Sequence, residues 1–160
     1  FPRQDASWID EYYAAGRNAL ANYLGTEKEI DFSFINHIIK EFKEGANSIT
    51  LKRMGRTADD IHLEAVDFTG VRTLIIEWTH GNNPALYGVD FPIFLFSTPA
   101  ETLAHRLARS RDKNTDSPFI SLVLEIEQEK LVSQAKNAKL IISKDGAVLS
   151  YSEFKERLTE

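Results

Sequence analysis

With no cysteine in the chain, any chemistry it performs falls to carboxylates, guanidinium groups and imidazoles. Arg106, Arg109 and Arg111 lie close together and are followed by Asp112. On a helix, positions 106 and 109 are about one turn apart and share a face, while Arg111 near the helix end can swing toward a ligand beside Asp112. Guanidinium forks match phosphate oxygens and offset charge that develops during phosphoryl transfer. The same spacing also describes a solvated charged face. Glu77 ends the apolar run 71–77, where a carboxylate must meet water, a cation or a metal, and such an acid suits Mg²⁺ or metal-bound water. His80 adds the idea of a Glu77/His80 divalent-metal site, against which stands the lack of a second histidine at ligand spacing. Arg53 and Arg56, in a loop that also carries Lys52, can meet a phosphate or carboxylate.

These groups need elements to position them. The stretch Val71-Arg-Thr-Leu-Ile-Ile-Glu-Trp-Thr-His-Gly81 reads as a buried strand that brings Glu77 to His80 to its carboxyl end, where ligands gather in open α/β sheets. Upstream, a helix from Ser7 to Leu24 carries Trp8, Tyr12, Tyr13 and Tyr23 as a core stripe and stops at Gly25. A second helix holds Phe34, Ile35, Ile38, Ile39 and Phe42 at helical spacing and ends at Gly45, before a short strand at 48–51. Beyond Gly81, the run 91–96 is a strand, and Thr98-Pro99-Ala100-Glu101 is a capping box that starts the arginine helix at once. Ser117-Pro118 opens another helix, 138–143 is a strand, Lys144-Asp145-Gly146 turns into a return strand at 147–149, and Ser150 with Glu153 caps a terminal helix. This order predicts an α/β fold with a mainly parallel sheet and helices on both faces. Strands 48–51, 71–77, 91–96 and 138–143 are expected in one sheet, with Glu77 and Ser97 at the same edge.

The 160 residues, 42% hydrophobic and 27% charged, are expected to form a single α/β domain. A net charge of -5 without a basic stripe argues against general affinity for nucleic acid or anionic membrane. No apolar run has a membrane-spanning length, and the absence of cysteine fits a cytoplasmic protein.

Leu74-Ile75-Ile76-Glu77 with its loop, Gly88-Val89-Asp90-Phe91-Pro92-Ile93-Phe94-Leu95, the segment Glu101 to Asp112, the helix Val123 to Gln128 and the strand Ala138 to Ile142 follow one another in an order that resembles the uridine kinase and phosphoribulokinase-like branch of the P-loop kinases. The resemblance implies ATP as phosphoryl donor, Mg²⁺ as cofactor and a small-molecule acceptor with a hydroxyl group. It gives Glu77 the metal-side role, and Arg106, Arg109, Arg111 and Asp112 the nucleotide phosphates. Arg109 and Arg111 act in catalysis on this reading, and Arg53, Arg56 and His80 face the acceptor. The motif G-x-x-x-x-G-K-S/T occurs nowhere in the sequence. The chain therefore reads as the C-terminal part of a P-loop kinase-like domain whose first strands and Walker A loop lie elsewhere. The 160 residues alone are then expected to be inactive, with an apolar seam where those strands belong and self-association there. Two other readings stand beside this one: a non-catalytic P-loop-like binding or assembly module, and a metal-dependent hydrolase using Glu77 and His80.

Overall fold

Asp31 and Ser117 each place a side-chain oxygen on a backbone N–H of the next helix's first turn, accepting from Phe34 and Ile120. Those two caps start the helices that organise the computed structural model, which describes residues 16–55, 57, 60–109 and 117–158, with the Arg109 side chain excepted. In chain order the elements are α1 (Arg17–Ala21), α2 (Phe32–Lys43), β1 (Ser48–Arg53), β2 (His62–Asp67), β3 (Ile93–Phe96), α3 (Pro99–Arg109), α4 (Pro118–Gln134), a 3₁₀ turn (Ala135–Asn137), β4 (Leu140–Ser143), β5 (Val148–Leu149) and α5 (Tyr151–Arg157).

The fold is mixed α/β, but its strands form two small sheets rather than one. β3 and β4 pair in parallel, Ile93 opposite Leu140 through Phe96 opposite Ser143, and β5 returns antiparallel on β4. The crossover from β3 to β4 runs through α3 and α4, as a parallel pair requires. β1 does not join that sheet. It forms an antiparallel hairpin with β2, from Ser48 opposite Asp67 to Arg53 opposite His62. This corrects the expectation of a common sheet that includes 48–51. The physical reason lies in β2, whose sequence His62-Leu-Glu-Ala-Val-Asp67 mixes apolar with charged residues and hides its strand character, yet supplies a partner that is near in sequence.

The second correction concerns 71–77, which forms no strand. Leu74, Ile76 and Trp78 are half-buried and His80 is buried, whereas Ile75, Glu77 and Thr79 point outward, so the period of a strand is kept. What is absent is a ladder, because a strand exists only with a hydrogen-bonding neighbour and none of the described residues supplies one. Glu77 is thus not at the end of a sheet strand, and it shares no sheet edge with Ser97.

Two apolar clusters hold the elements together. Phe94 and Phe96 of β3, Ile141 of β4 and Leu149 of β5 close on Phe154 of α5, which is fully buried and meets both phenylalanines edge-on at 5.6 and 5.0 Å. Leu20 and Leu24 pack against Val123 and Ile126 of α4 in the other cluster. The C-terminal end of α4 reaches the first cluster through Leu131 and Val132, so one long helix spans both. Tyr23 packs on the second cluster but lies beyond the helix, which begins after Gly16 at φ 87° and ends at Ala21 rather than running to Leu24, while Ser7, Trp8, Tyr12 and Tyr13 lie outside the described residues.

Candidate functional site

The carboxyl ends of β3 and β4 are adjacent because the pair is parallel, and the chain leaves both through polar residues. After β3, Thr98 and Glu101 form the anticipated capping box: Glu101 N–H donates to Thr98 Oγ1 at 3.2 Å, and Thr98 N–H donates to Glu101 Oε2 at 2.7 Å. The Thr98 N–H, aimed at this carboxylate, holds the Glu101 carboxyl below its ordinary range. After β4, Ser143 to Ala147 make a tight turn in which Gly146 takes φ 84°, a left-handed conformation that suits glycine. The Ser143 hydroxyl donates to Asp145 Oδ1 and also lies 3.1 Å from the Ala147 carbonyl oxygen, and its bond keeps the Asp145 carboxyl ionised to lower pH than usual.

Between these two exits lies an open cavity of about 570 Å³, floored by Phe96 and walled by Thr98, Glu101, Ser143, Lys144, Asp145 and Arg157. Lys144 Nζ donates to the Glu101 carbonyl at 3.1 Å, linking the two loops, and Arg157 of α5 stands 3.8 Å from Asp145. Two cations, two carboxylates, hydroxyl groups and one aromatic ring at the carboxyl ends of parallel strands suit a polar ligand. Sequence reasoning missed Ser143, Lys144, Asp145 and Arg157. The signal for three of them was present, since 138–143 is an apolar strand that ends in a polar turn, the same logic that singled out Glu77.

The residues expected to form a site are placed unequally. Arg106 is on α3, which begins at this edge, but its Nη1 donates to the Pro99 carbonyl at 2.7 Å and to Thr102 Oγ1 at 2.6 Å. It is folded back on its own helix, and its Nε is buried without an acceptor among the described residues. Arg109 is the last residue of that helix, and Arg111, Asp112 and Arg56 lie outside the described residues. Arg53 pairs with Glu64 across the hairpin, and this guanidinium holds the Glu64 carboxyl low. His62 Nδ1 sits 3.0 Å from the Asp60 carbonyl.

His80 is only 3% exposed, edge-on to Trp78 at 6.2 Å, and Trp78 in turn meets Phe32 at 5.6 Å. A Cβ at Gly25, where φ is 65°, would come within 2.6 Å of the imidazole. His80 is therefore packed beneath Gly25, while Glu77 is exposed, which does not bring the two together as a metal pair. Among the described residues no group of three or more His, Asp or Glu side chains could hold a metal ion. A lone exposed carboxylate does fit the usual way Mg²⁺ is held, by one or two carboxylates together with phosphates and water.

No protein-family model matches the chain, and no solved structure does. Among curated proteins, 146 residues, or 91% of this chain, are 52% identical to a bifunctional alpha-galactosidase/sucrose kinase of Mediterraneibacter gnavus. The chain spans 16% of that relative's length. No helix of the described residues is long and apolar enough to cross a membrane. Nearly the whole chain is thus related to a segment of an enzyme whose name includes a kinase.

Proposed function

We propose that this chain is part of an ATP-dependent kinase that transfers a phosphoryl group to a hydroxyl of a sugar. The carrying observation is the 52% identity, over 91% of the chain, to a protein named for sucrose kinase activity. That relative is also named for alpha-galactosidase activity. A cavity at the carboxyl ends of a parallel strand pair, lined by two cations and two carboxylates, supports a polar ligand beside β3 and β4.

In this reading the cavity beside Phe96 takes ATP, with Lys144 and Arg157 supplying positive charge. Arg109 and Arg111 reach the transferring phosphoryl group, Arg106 steadies the helix that ends at Arg109, and Asp112 orients an arginine. The acceptor hydroxyl oxygen forms a bond to the γ-phosphorus as the bond to ADP breaks, and the hydroxyl proton is released to water. Guanidinium groups stabilise the charge spread over the equatorial oxygens. Glu77 is the carboxylate that would hold Mg²⁺, which would supply charge to offset that of the phosphates. Arg53 and Arg56 face the acceptor. The uridine-kinase-like resemblance supports phosphoryl transfer, while the relative's name favours a sugar over a nucleoside as acceptor. A phosphate cradle of the G-x-x-x-x-G-K-S/T kind, which these residues do not contain, would be needed from elsewhere in the polypeptide.

The test is ADP release by the complete gene product in ATP and Mg²⁺, with sucrose and uridine as alternative acceptors. Turnover with sucrose and none with uridine is expected. Turnover with uridine alone removes the sugar assignment, and no ADP release with either removes the kinase.

A further inference from the structure

The two carboxylates that wall the cavity beside Phe96 are held differently. The Thr98 N–H and hydroxyl both donate to Glu101 Oε2, which turns that side chain back on the start of its own helix. Asp145 is held through one oxygen. The Ser143 hydroxyl donates to its Oδ1, and Arg157 stands 3.8 Å from the same atom. Oδ2 accepts from no described side chain, and the Asp145 side chain is 69% exposed at the cavity wall.

The turn fixes this asymmetry. Ser143 is buried at the end of β4, so the strand sets the position of its hydroxyl. Its N–H donates to the Ala147 carbonyl at 2.9 Å, and the Gly146 N–H donates to the Ser143 carbonyl at 2.9 Å, which closes the turn on itself. The Ser143 bond and the nearby backbone N–H groups of Asp145 and Ala147 keep the carboxyl ionised, and an ionised carboxylate only accepts.

The purines differ in what they offer such a group. Adenine presents one amine, N6–H₂, on the edge where guanine and hypoxanthine carry the acceptor O6. Guanine places N1–H and N2–H₂ side by side, a pair that occupies both oxygens of a carboxylate. With the cavity taken as the ATP site, on which this assignment rests, we propose that Asp145 selects the purine: its Oδ2 accepts from the N6 amine of adenine, while Ser143 withholds Oδ1 and denies guanine the two-oxygen fork. Asp145 then touches the base and not the reacting phosphorus, so discrimination belongs in KM more than in kcat.

The experiment is nucleoside diphosphate release by the complete gene product with sucrose and Mg²⁺, comparing ATP, GTP, ITP and purine riboside triphosphate, which lacks the amine. Wild type should favour ATP over each of the others by at least about tenfold in kcat/KM, the usual cost of losing a hydrogen bond to a charged group. Asp145→Asn can turn its amide N–H₂ toward O6, and should shift the ATP to ITP ratio toward ITP by about tenfold with kcat for ATP little changed. Ser143→Ala frees Oδ1 and should raise the use of GTP relative to ATP several-fold. Ratios cancel any general loss of active protein, and thermal melts accompany each variant. Should neither variant fold, the wild-type preference decides: equal use of ATP and purine riboside triphosphate overturns the proposal. So do ratios that stay at wild-type values in both folded variants, an outcome that leaves the kinase intact. No diphosphate release with any of the four removes the kinase and this role of Asp145 together.

Discussion

At the scale of single residues, contacts separate the arginines that sequence spacing had grouped. Arg106 donates to the Pro99 carbonyl and to Thr102, so its first role is to tie the opening turn of α3. Arg106→Lys should cost about 1 kcal/mol of stability through the lost hydrogen bonds and change turnover modestly, measured by thermal melts beside ADP-release kinetics. Arg109→Lys should leave stability within about 0.5 kcal/mol of wild type and reduce kcat at least about tenfold, because an ammonium keeps the charge and loses the fork. Equal turnover in wild type and Arg109→Lys returns Arg109 to a solvated helix face. Lys144→Ala should raise KM for ATP several-fold with the KM for sugar unchanged, a split that simple loss of folding does not produce. Gly25→Ala meets His80 in a left-handed conformation and should destabilise by about 1–3 kcal/mol. The double substitution with His80→Ala should recover only the steric share of that loss, since the backbone strain at position 25 remains.

Elements whose start depends on neighbours in sequence match their expectation closely. The capping box at Ser150 and Glu153 forms as the spacing requires, with Ser150 N–H donating to Glu153 Oε2 at 2.7 Å and Glu153 N–H to Ser150 Oγ at 3.2 Å. Ser150→Ala should lower stability by about 1 kcal/mol, read by chemical denaturation. The Ser150 bonds hold the Glu153 carboxyl below its ordinary value, as the Thr98 N–H does for Glu101. A carboxylate with a depressed folded pKa binds fewer protons when folded, so its stabilisation is complete above its unfolded pKa, roughly 4.3 for glutamate. It is lost as pH falls through the lower folded value. Glu153→Gln should therefore flatten the dependence of Tm on pH below about 4.3 and leave it unchanged near neutrality. β1 forms at the expected place, while its sheet partner and the missing ladder of the run 71–77 depend on residues that local sequence does not show. A strand is completed by residues distant in sequence, and neither β2, hidden by Glu64 and Asp67, nor a ladder for Ile75 can be read from local period. The contact between His80 and Gly25 joins residues far apart in sequence, so only the fold reveals it. The turn after β4 shows the opposite case, a polar strand exit that local reading could have weighed and did not.

For the molecule as a whole, α4 is the shared member of both apolar clusters. Ile126, 1% exposed, and Phe154, fully buried, anchor one each. Ile126→Ala and Phe154→Ala should each destabilise by about 2–5 kcal/mol, from lost burial and the cavity left behind. Coupling through α4 should make both appear as a shift of one denaturation transition, and two separate transitions would show that the clusters unfold independently. Glu77→Gln tests the placement of function on this frame: with Glu77 exposed, folding should be unaffected, and turnover in the complete protein should drop if the acid acts beside the metal.

Lys130 supplies a link between helices, since its ammonium donates to the carbonyl oxygens of both Ala21 and Leu24, and burial lowers its pKa. An amine so engaged is withheld from electrophiles while α1 stays docked on α4. Cyanate, which accumulates in urea solutions, should carbamylate Lys130 only in molecules where that contact has opened, and the resulting neutral urea group cannot restore an ammonium there. Denaturation in aged urea would then drift irreversibly toward the unfolded side, and the mass shift on the peptide that contains Lys130 would serve as a clock for how often α1 lets go.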